Sequence, residues 1–356
     1  MTKLLNKKTN LTPYGREAAI SYGIVIAGFA LLSLGAASGI IGSNLQGQFV
    51  PICAYVTLAI ALNLVVGISG ELSLGHAGFM AVGAFAGITA SALLGDTGAP
   101  DILRVVIALI VGAICAGIVG AIIGIPVLGL RGDYLAIVTL AFGEIIRNVL
   151  NIVYLGKDSH GLHFSLSSDV QLEPDGYHIL TGPMGATGND TLASFPIGIV
   201  VVLITLFIVL NMINSKHGRA IMAIRDNRIA GESIGLNVIK YKMMAFVVSA
   251  ALAGMGGALF GLNYSSLAPV KFNFNTSVLI LVFVVLGGIG NIWGGIIAAA
   301  VLTILPEALR DFSDYRMLTY AIVLILVMIC TYNPAIKARI GVYKEKIIKK
   351  KSKEVA

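Results

Sequence analysis

The sequence is poor in charge. Asp, Glu, Lys and Arg supply 12% of its 356 residues, about half the share of an ordinary soluble domain, and mean hydropathy is +0.90. A water-soluble globular protein is excluded on that ground. Cysteine is scarce as well. Cys53, Cys115 and Cys330 all fall inside apolar runs, where a thiol behaves as a small hydrophobe, so neither a disulfide framework nor a metal-ligand spacing is indicated. There is no GxxxxGK[ST] loop, no HExxH pair and no Ser or Cys nucleophile in a recognisable setting. The sequence thus offers no catalytic set, metal site or cofactor site, and any ATP that drives it must be bound by another chain.

Long apolar runs are what the sequence does have. Several reach the roughly 20 residues that cross a hydrocarbon core. They are continuous rather than alternating, which argues against a β-barrel. The expected fold class is all-α, a polytopic bundle of transmembrane helices. Ten spans are expected, at about 18–41, 50–68, 74–94, 103–128, 134–155, 194–214, 243–263, 274–290, 293–310 and 317–333. The first run follows basic residues like a signal peptide, but it is longer than a typical signal core and more spans follow, so it is expected to be retained.

The net charge of +7 is concentrated in three places. One is a basic arm, residues 1–17, with Lys3, Lys7, Lys8 and Arg16. A second is the loop 215–242, with Lys216, Arg219, Arg225, Arg228, Lys240 and Lys242. The third is a tail, residues 337–356, with Lys344, Lys346, Lys349, Lys350, Lys351 and Lys353. Lys and Arg resist translocation and are drawn to anionic lipid. All three are therefore expected on the cytoplasmic side of a transmembrane domain spanning 18–336, and a nucleic-acid partner is not. The loop 156–193 carries Asp158, Asp169, Glu173, Asp175 and Asp190 against Lys157 alone. It is expected outside, as an ordered irregular cap or a flexible loop. Ten crossings satisfy every one of these placements.

The 215–242 loop is too patterned to be featureless. Ile221, Ile224 and Ile229 give a partial apolar face, and Gly218, Gly231 and Gly235 supply breaks or caps. It reads either as a structured elbow for a soluble partner or as a solvated loop that sets topology. An internal repeat is also present. Ala54–Gly75 aligns with Phe274–Gly295 at a spacing of 220, with Gly67, Gly70 and Gly75 opposite Gly287, Gly290 and Gly295. Interrupted helices in the two halves of a transporter point to its pathway; glycine that permits close helix packing is the plainer reading.

Polar residues at membrane depth are costly and therefore informative. Glu144 lies about 15 Å from the inner end of its span at the helical rise. Arg147, Asn148 and Asn151 follow on the same face, with Glu144 and Arg147 in pairing range. They either line a substrate path or lock helices together. Ser73, Gly75 and His76 sit at the first glycine break, where free N–H groups of a half-helix can meet a carboxylate; a satisfied packing histidine is the alternative. Gly290 and Trp293 mark the second break, although Trp293 also suits an interfacial anchor.

Four stretches carry a resemblance: 67–87 (GISGELSLGHAGFMAVGAFAG), 130–147 (LRGDYLAIVTLAFGEIIR), 218–261 (GRAIMAIRDNRIAGESIGLNVIKYKMMAFVVSAALAGMGGALFG) and 284–307 (VVLGGIGNIWGGIIAAAVLTILPE). The sequence resembles the permease subunits of bacterial ABC importers for branched-chain amino acids, of the LivM type, from about residue 50 to 333. The resemblance implies that the 215–242 loop is the helix that docks in a groove of the ATPase. The EAA-x3-G pattern of such loops is reduced here to Ile229-Ala230-Gly231 and Gly235. Gly218, Arg219, Arg225, Asp226, Ala230 and Gly235 are the coupling residues it implies, with Arg219, Arg225 and Asp226 making polar contacts. It further implies a LivH-like second permease, two ATPase subunits, an extracytoplasmic binding protein, and alternating access for Leu, Ile or Val across the cytoplasmic membrane. Related permeases for urea or other small solutes, and an ion-coupled carrier working alone, are the competing expectations.

Overall fold

The computed structural model describes residues 13–39, 42–96, 98–129, 133–158, 161–166 and 176–309, with single positions between 318 and 329. Met1–Thr303 form one compact unit and Ile304–Ala356 a second. Most of the basic arm, all of the basic tail and most of the expected tenth span lie outside the described residues.

In chain order the helices are α1 (Pro13–Ala37), α2 (Ser43–Gln46), α3 (Phe49–Asn63), α4 (His76–Gly95), α5 (Asp101–Val127), α6 (Asp133–Leu150), α7 (Phe195–Asn214), α8 (Lys216–Asp226), α9 (Arg228–Ser233), α10 (Val238–Gly261), α11 (Phe274–Gly287) and α12 (Ile292–Ala308). A π-helical turn, Leu64–Ser69, extends α3. Among the described residues, seven stretches are long and apolar enough to cross a membrane: Ala18–Ala37, Ser43–Ser69, His76–Gly95, Asp101–Val127, Phe195–Asn214, Val238–Gly261 and Pro269–Gly287. Two expected spans fall short of that standard. α6 carries Asp133, Glu144 and Arg147, and α12 has 17 residues.

α10 is packed against α5, α4 and α3, and α3 against α7. α3 is apolar on every face, so it belongs in the interior, and 14 of its 15 residues are buried. α5 shows how lipid reverses the usual rule. Ile102, Val106, Ile110, Ile114, Ile118 and Ile122 are exposed, while Ala108, Gly112, Ala116 and Gly120 are buried. Large aliphatic side chains gain nothing by leaving lipid, so small residues take the contact and let backbones approach. At the α4–α5–α10 crossing, a Cβ on Gly83 would lie 2.1 Å from the Gly254 carbonyl oxygen, and one on Gly257 2.0 Å from that of Met80.

The loop after α6 is neither irregular nor purely helical. Among the described residues there are five short strands, four after α6, β1 (Tyr154–Asp158), β2 (Gly161–Ser165), β3 (Tyr177–Thr181) and β4 (Ala186–Thr187), and one after α10, β5 (Ser266–Leu267). The first three form an antiparallel sheet in the order β2-β1-β3, and β4 pairs with β5. The all-α reading therefore holds for the bundle and needs correcting here. α6 stops at Leu150, and Tyr154 and Leu155, placed by the sequence in or at the end of a span, begin β1. Strands of two to five residues leave too little alternation to register against the apolar run before them.

Short polar bonds hold this sheet to the helix ends. Arg104 on α5 is 8% exposed; its Nη2 donates to Asp190 at 2.6 Å and its Nε to the Ser91 carbonyl at 3.2 Å. Asp96 accepts from Lys157 Nζ at 2.5 Å and from the Tyr177 hydroxyl at 2.9 Å. These two bonds hold the Asp96 carboxyl below the usual carboxylate range. Burial first, and Asp96 second, push the Tyr177 phenol up to about 12. A depressed carboxyl stabilises the fold above its unfolded pKa, and the contribution is lost as pH falls through its folded value; a raised phenol contributes below its unfolded pKa and loses this as pH rises through its folded value. Attachment of β3 is therefore expected to weaken in acid below roughly pH 4 and in base above roughly pH 10. Amide protection across Tyr177–Thr181, corrected for intrinsic exchange, measures it, and Asp96→Asn should remove the acid limb.

Candidate functional site

The 215–242 elbow contains two short helices, α8 and α9, separated at Asn227. Ser215 caps α8, its hydroxyl oxygen accepting from the Gly218 N–H at 3.1 Å. α8 ends at Asn227, whose extended backbone (φ −152°) both stops it and starts α9, its side chain accepting from the Ala230 N–H at 3.0 Å. Asn237 caps α10 likewise, through the Lys240 N–H at 3.0 Å. Each cap satisfies one orphan donor of a helix start.

α9 closes with a Schellman turn. Gly235 adopts φ +85°; its N–H donates to the Glu232 carbonyl and that of Leu236 to Gly231. The left-handed position requires glycine or nearly so. Gly235 is thus a backbone device, as is Gly218, where a Cβ would lie 2.3 Å from the Met212 and Ile213 carbonyls.

The kink at Asn227 redistributes the apolar face expected from sequence. Ile221 and Ile224 are buried, but Ile229 is 78% exposed and Ile234 75%. Ala230 is also exposed, while Gly231 is buried beside Ile224. α9 therefore presents Ile229, Ala230 and Ile234 outward on a rim that includes the Arg228–Glu232 pair (2.9 Å). Arg219 folds back on the elbow, donating to the Asn214 carbonyl at 2.8 Å.

Arg225 is partly exposed and bridges the elbow to the π turn. Its Nη1 donates to the carbonyl of Gly67, in the π turn, at 2.9 Å, while Nε and Nη2 hold Asp226 Oδ1 at 3.0 and 2.8 Å. Its aliphatic stem covers Gly70, which has φ +73°; a Cβ there would lie 2.6 Å from Arg225 Cγ. Cations at a helix C-terminus satisfy its orphan carbonyls and oppose its dipole. Lys242, at the far side of the elbow, pairs with Glu71 just beyond the same break.

The first break touches the second. A Cβ on Gly67 would lie 2.4 Å from the Gly290 nitrogen, and Asn63 Oδ1 accepts from that N–H at 2.9 Å. Gly70 and Gly290, paired in the repeat, both have positive φ, +73° and +82°. Gly67 and Gly287, also paired, both sit where a Cβ would meet backbone within 2.4 Å. Asn63 is buried, and its Nδ2 has no acceptor among the described residues.

The residues at the start of α4 form a buried hydrogen-bonded knot. His76 is 1% exposed, with Nε2 2.8 Å from Ser249 Oγ and Nδ1 3.5 Å from Ser73 Oγ. The Leu74 N–H donates to Thr139 Oγ1 at 3.1 Å and the Ala77 N–H to Ser277 Oγ at 3.2 Å. Gly75 lies against the Thr139 carbonyl. N–H groups that the sequence offered to a carboxylate are engaged by hydroxyls. Sequence reasoning missed Ser249, Ser277 and Thr139, single small polar residues in apolar helices, and no spacing ties them to residue 76.

The α6 group divides. Glu144 Oε2 pairs with Arg147 at 2.7 Å, and Oε1 accepts from the Phe274 N–H at 3.1 Å, capping the start of α11. Asn148 points outward and Asn151 lies past the end of α6. Trp293, at the start of α12, is 41% exposed. Glu144→Ala leaves Arg147 without its carboxylate and Phe274 without its cap. It should cost about 1–3 kcal/mol, read as thermal stability in detergent, and Glu144→Ala with Arg147→Ala should cost less than the single change.

A protein-family model for the permease component of branched-chain amino acid transport systems matches residues 44–332. The chain is 34% identical over 286 residues to the high-affinity branched-chain amino acid transport system permease protein LivM of Escherichia coli (strain K12), covering 77% of this chain and 66% of that protein. It is 25% identical over 289 residues to the corresponding permease protein LivH of Salmonella typhimurium, covering 77% and 88%. It is 24% identical over 296 residues to the fructose import permease protein FruG of Bifidobacterium longum, covering 82% and 81%. The chain spans just under two thirds of the length of the LivM proteins it matches. No solved structure matches it. With its helical bundle, its candidate membrane spans and a family match over most of its length, the chain belongs to the family of branched-chain amino acid transport permease components.

Proposed function

We propose that this chain is one permease subunit of an ATP-driven importer for branched-chain amino acids in the cytoplasmic membrane. Two ATPase subunits hydrolyse ATP, a LivH-like permease completes the translocation path, and an extracytoplasmic binding protein delivers Leu, Ile or Val. The chain itself hydrolyses nothing. It crosses the membrane ten times, with both termini and the elbow inside and the 156–193 loop outside.

The observation that carries the coupling role is the shape of the elbow. α9 exposes Ile229, Ala230 and Ile234 at the tip of a capped, hydrogen-bonded unit whose base is fixed to the bundle by Arg225 and Lys242. An exposed apolar tip on a rigid stem is what a soluble groove can grip and move. The cargo is supported by the 34% identity to a protein named for branched-chain amino acid transport; the fructose and ribose permeases among the relatives make a sugar the competing cargo. A lone ion-coupled carrier has less support, because Glu144 is already committed to Arg147 and Phe274. Bound ligand and ATP then act by favouring one of two conformations.

Copurification tests the coupling role. The tagged chain, expressed with its genomic neighbours, should retain an ATPase. Ala230→Glu, on the exposed face of α9, should weaken that retention by about tenfold or more by burying an unpaired charge while membrane insertion stays normal. ATPase retention unchanged by Ala230→Glu would rule out α9 as the docking element.

A further inference from the structure

We infer that Arg225 is the strut that carries movement of the elbow into the paired glycine breaks, and that it is a positioning residue rather than a contact to the ATPase; this rests on the coupling reading above. Its guanidinium is divided between two tasks. Nη1 holds the Gly67 carbonyl at 2.9 Å, across 158 positions of sequence, and Nε and Nη2 hold Asp226 at the end of α8. One rigid planar group therefore joins α8 to the π turn, and a planar fork transmits orientation as a flexible ammonium does not. The stem lies on Gly70, so a shift of α8 presses directly on the left-handed residue that ends the first break.

From Gly67 the path continues without a gap. Gly67 abuts Gly290, and Asn63 bonds the Gly290 N–H at 2.9 Å. The second break thus moves with the first, and both repeats respond to one elbow. Backbone packed on backbone has no side chain to absorb a displacement, so movement at Gly67 is passed on rather than dissipated. Asn63 keeps a buried N–H without a protein acceptor among the described residues, leaving a donor available to a repacked junction. A π turn is the local backbone suited to such a change, since it holds one residue more than a regular turn.

The test uses the complete complex, with its second permease, ATPases and binding protein, in vesicles. The wild type is measured first for ATP-dependent leucine uptake. Absence of such uptake refutes the importer reading itself, and with it the strut. With wild-type uptake in hand, Arg225→Gln should lower leucine taken up per ATP hydrolysed by about tenfold, and Arg225→Lys should recover part of it. Gly70→Ala approaches the same contact from the end of the π turn rather than from α8, and should lower the same ratio. A structural or docking role lowers uptake and hydrolysis together and leaves the ratio constant. A constant ratio in Arg225→Gln, or in Gly70→Ala should Arg225→Gln not insert, overturns the proposal.

Discussion

Gly254→Val should abolish the folded bundle. Gly254 lies at the mutual crossing of α4, α5 and α10. A Cβ added there would sit 2.3 Å from the Ala116 methyl and 2.5 Å from the Gly112 carbonyl oxygen, and the Gly254 carbonyl already lies beneath Gly83. Two of those three neighbours are backbone. They cannot rotate away, so the helices must separate and give up the contacts that small residues provide along their length. Overpacking of a dense core costs about 1–3 kcal/mol where side chains can adjust, and more is expected where backbone is the obstacle. That is a large part of a typical total stability of about 5–15 kcal/mol. Gly117→Ala, on the same face of α5, is the internal control. Its Cβ would meet Ala251 at 3.4 Å, an ordinary contact, and it should cost less than about 1 kcal/mol. Size-exclusion profiles and thermal inactivation in detergent separate the two; a monodisperse Gly254→Val protein with wild-type stability would contradict the crossing described here.

The second large effect is functional. Gly67→Ala should reduce transport by about tenfold or more, because backbone at Gly290 blocks the added methyl and the strain exceeds the ordinary overpacking cost of about 1–3 kcal/mol. The added methyl would fall 2.1 Å from Asn63 Oδ1 and 2.4 Å from the Gly290 nitrogen. It would thus drive apart the two breaks and strain the Asn63–Gly290 bond. Asn63→Ala combined with Gly67→Ala removes one of the two clashes and should restore part of the activity. No recovery would mean that Gly290, not Asn63, sets the limit. ATP-dependent uptake in vesicles, normalised to inserted protein, reads both variants.

Much of this arrangement was legible in the sequence because bilayers impose long unbroken runs. The expected spans at 50–68, 74–94, 103–128, 194–214 and 243–263 overlap α3 with its π turn, α4, α5, α7 and α10. The matching glycines of the repeat were legible too, since Gly70 and Gly290 need a left-handed backbone that few other residues adopt. Other features were not. Ile221, Ile224 and Ile229 read as one partial apolar face, but Asn227, which caps α9, ends α8 between them, and Ile229 is exposed. Arg225 was legible as a charge in a polar loop, and it is exposed; its bond to the Gly67 carbonyl, 158 positions away in the π turn, was not. The sheet after α6 escaped because its strands are short and its partners are set by Arg104, Asp96 and Lys157, residues distant in sequence. For the elbow, local pattern set the helices and a cap or a long-range contact set where their side chains point; for the sheet, even the element depends on contacts distant in sequence.

The most direct test of the central claim is uptake of labelled leucine into vesicles that hold this chain with its second permease and ATPases, supplied with binding protein. The account predicts uptake that requires ATP and is competed by isoleucine and valine but not by fructose, ribose or urea. Leucine uptake by the single chain with no ATPase present, or ATP-driven uptake of a sugar or urea in place of leucine, would contradict it.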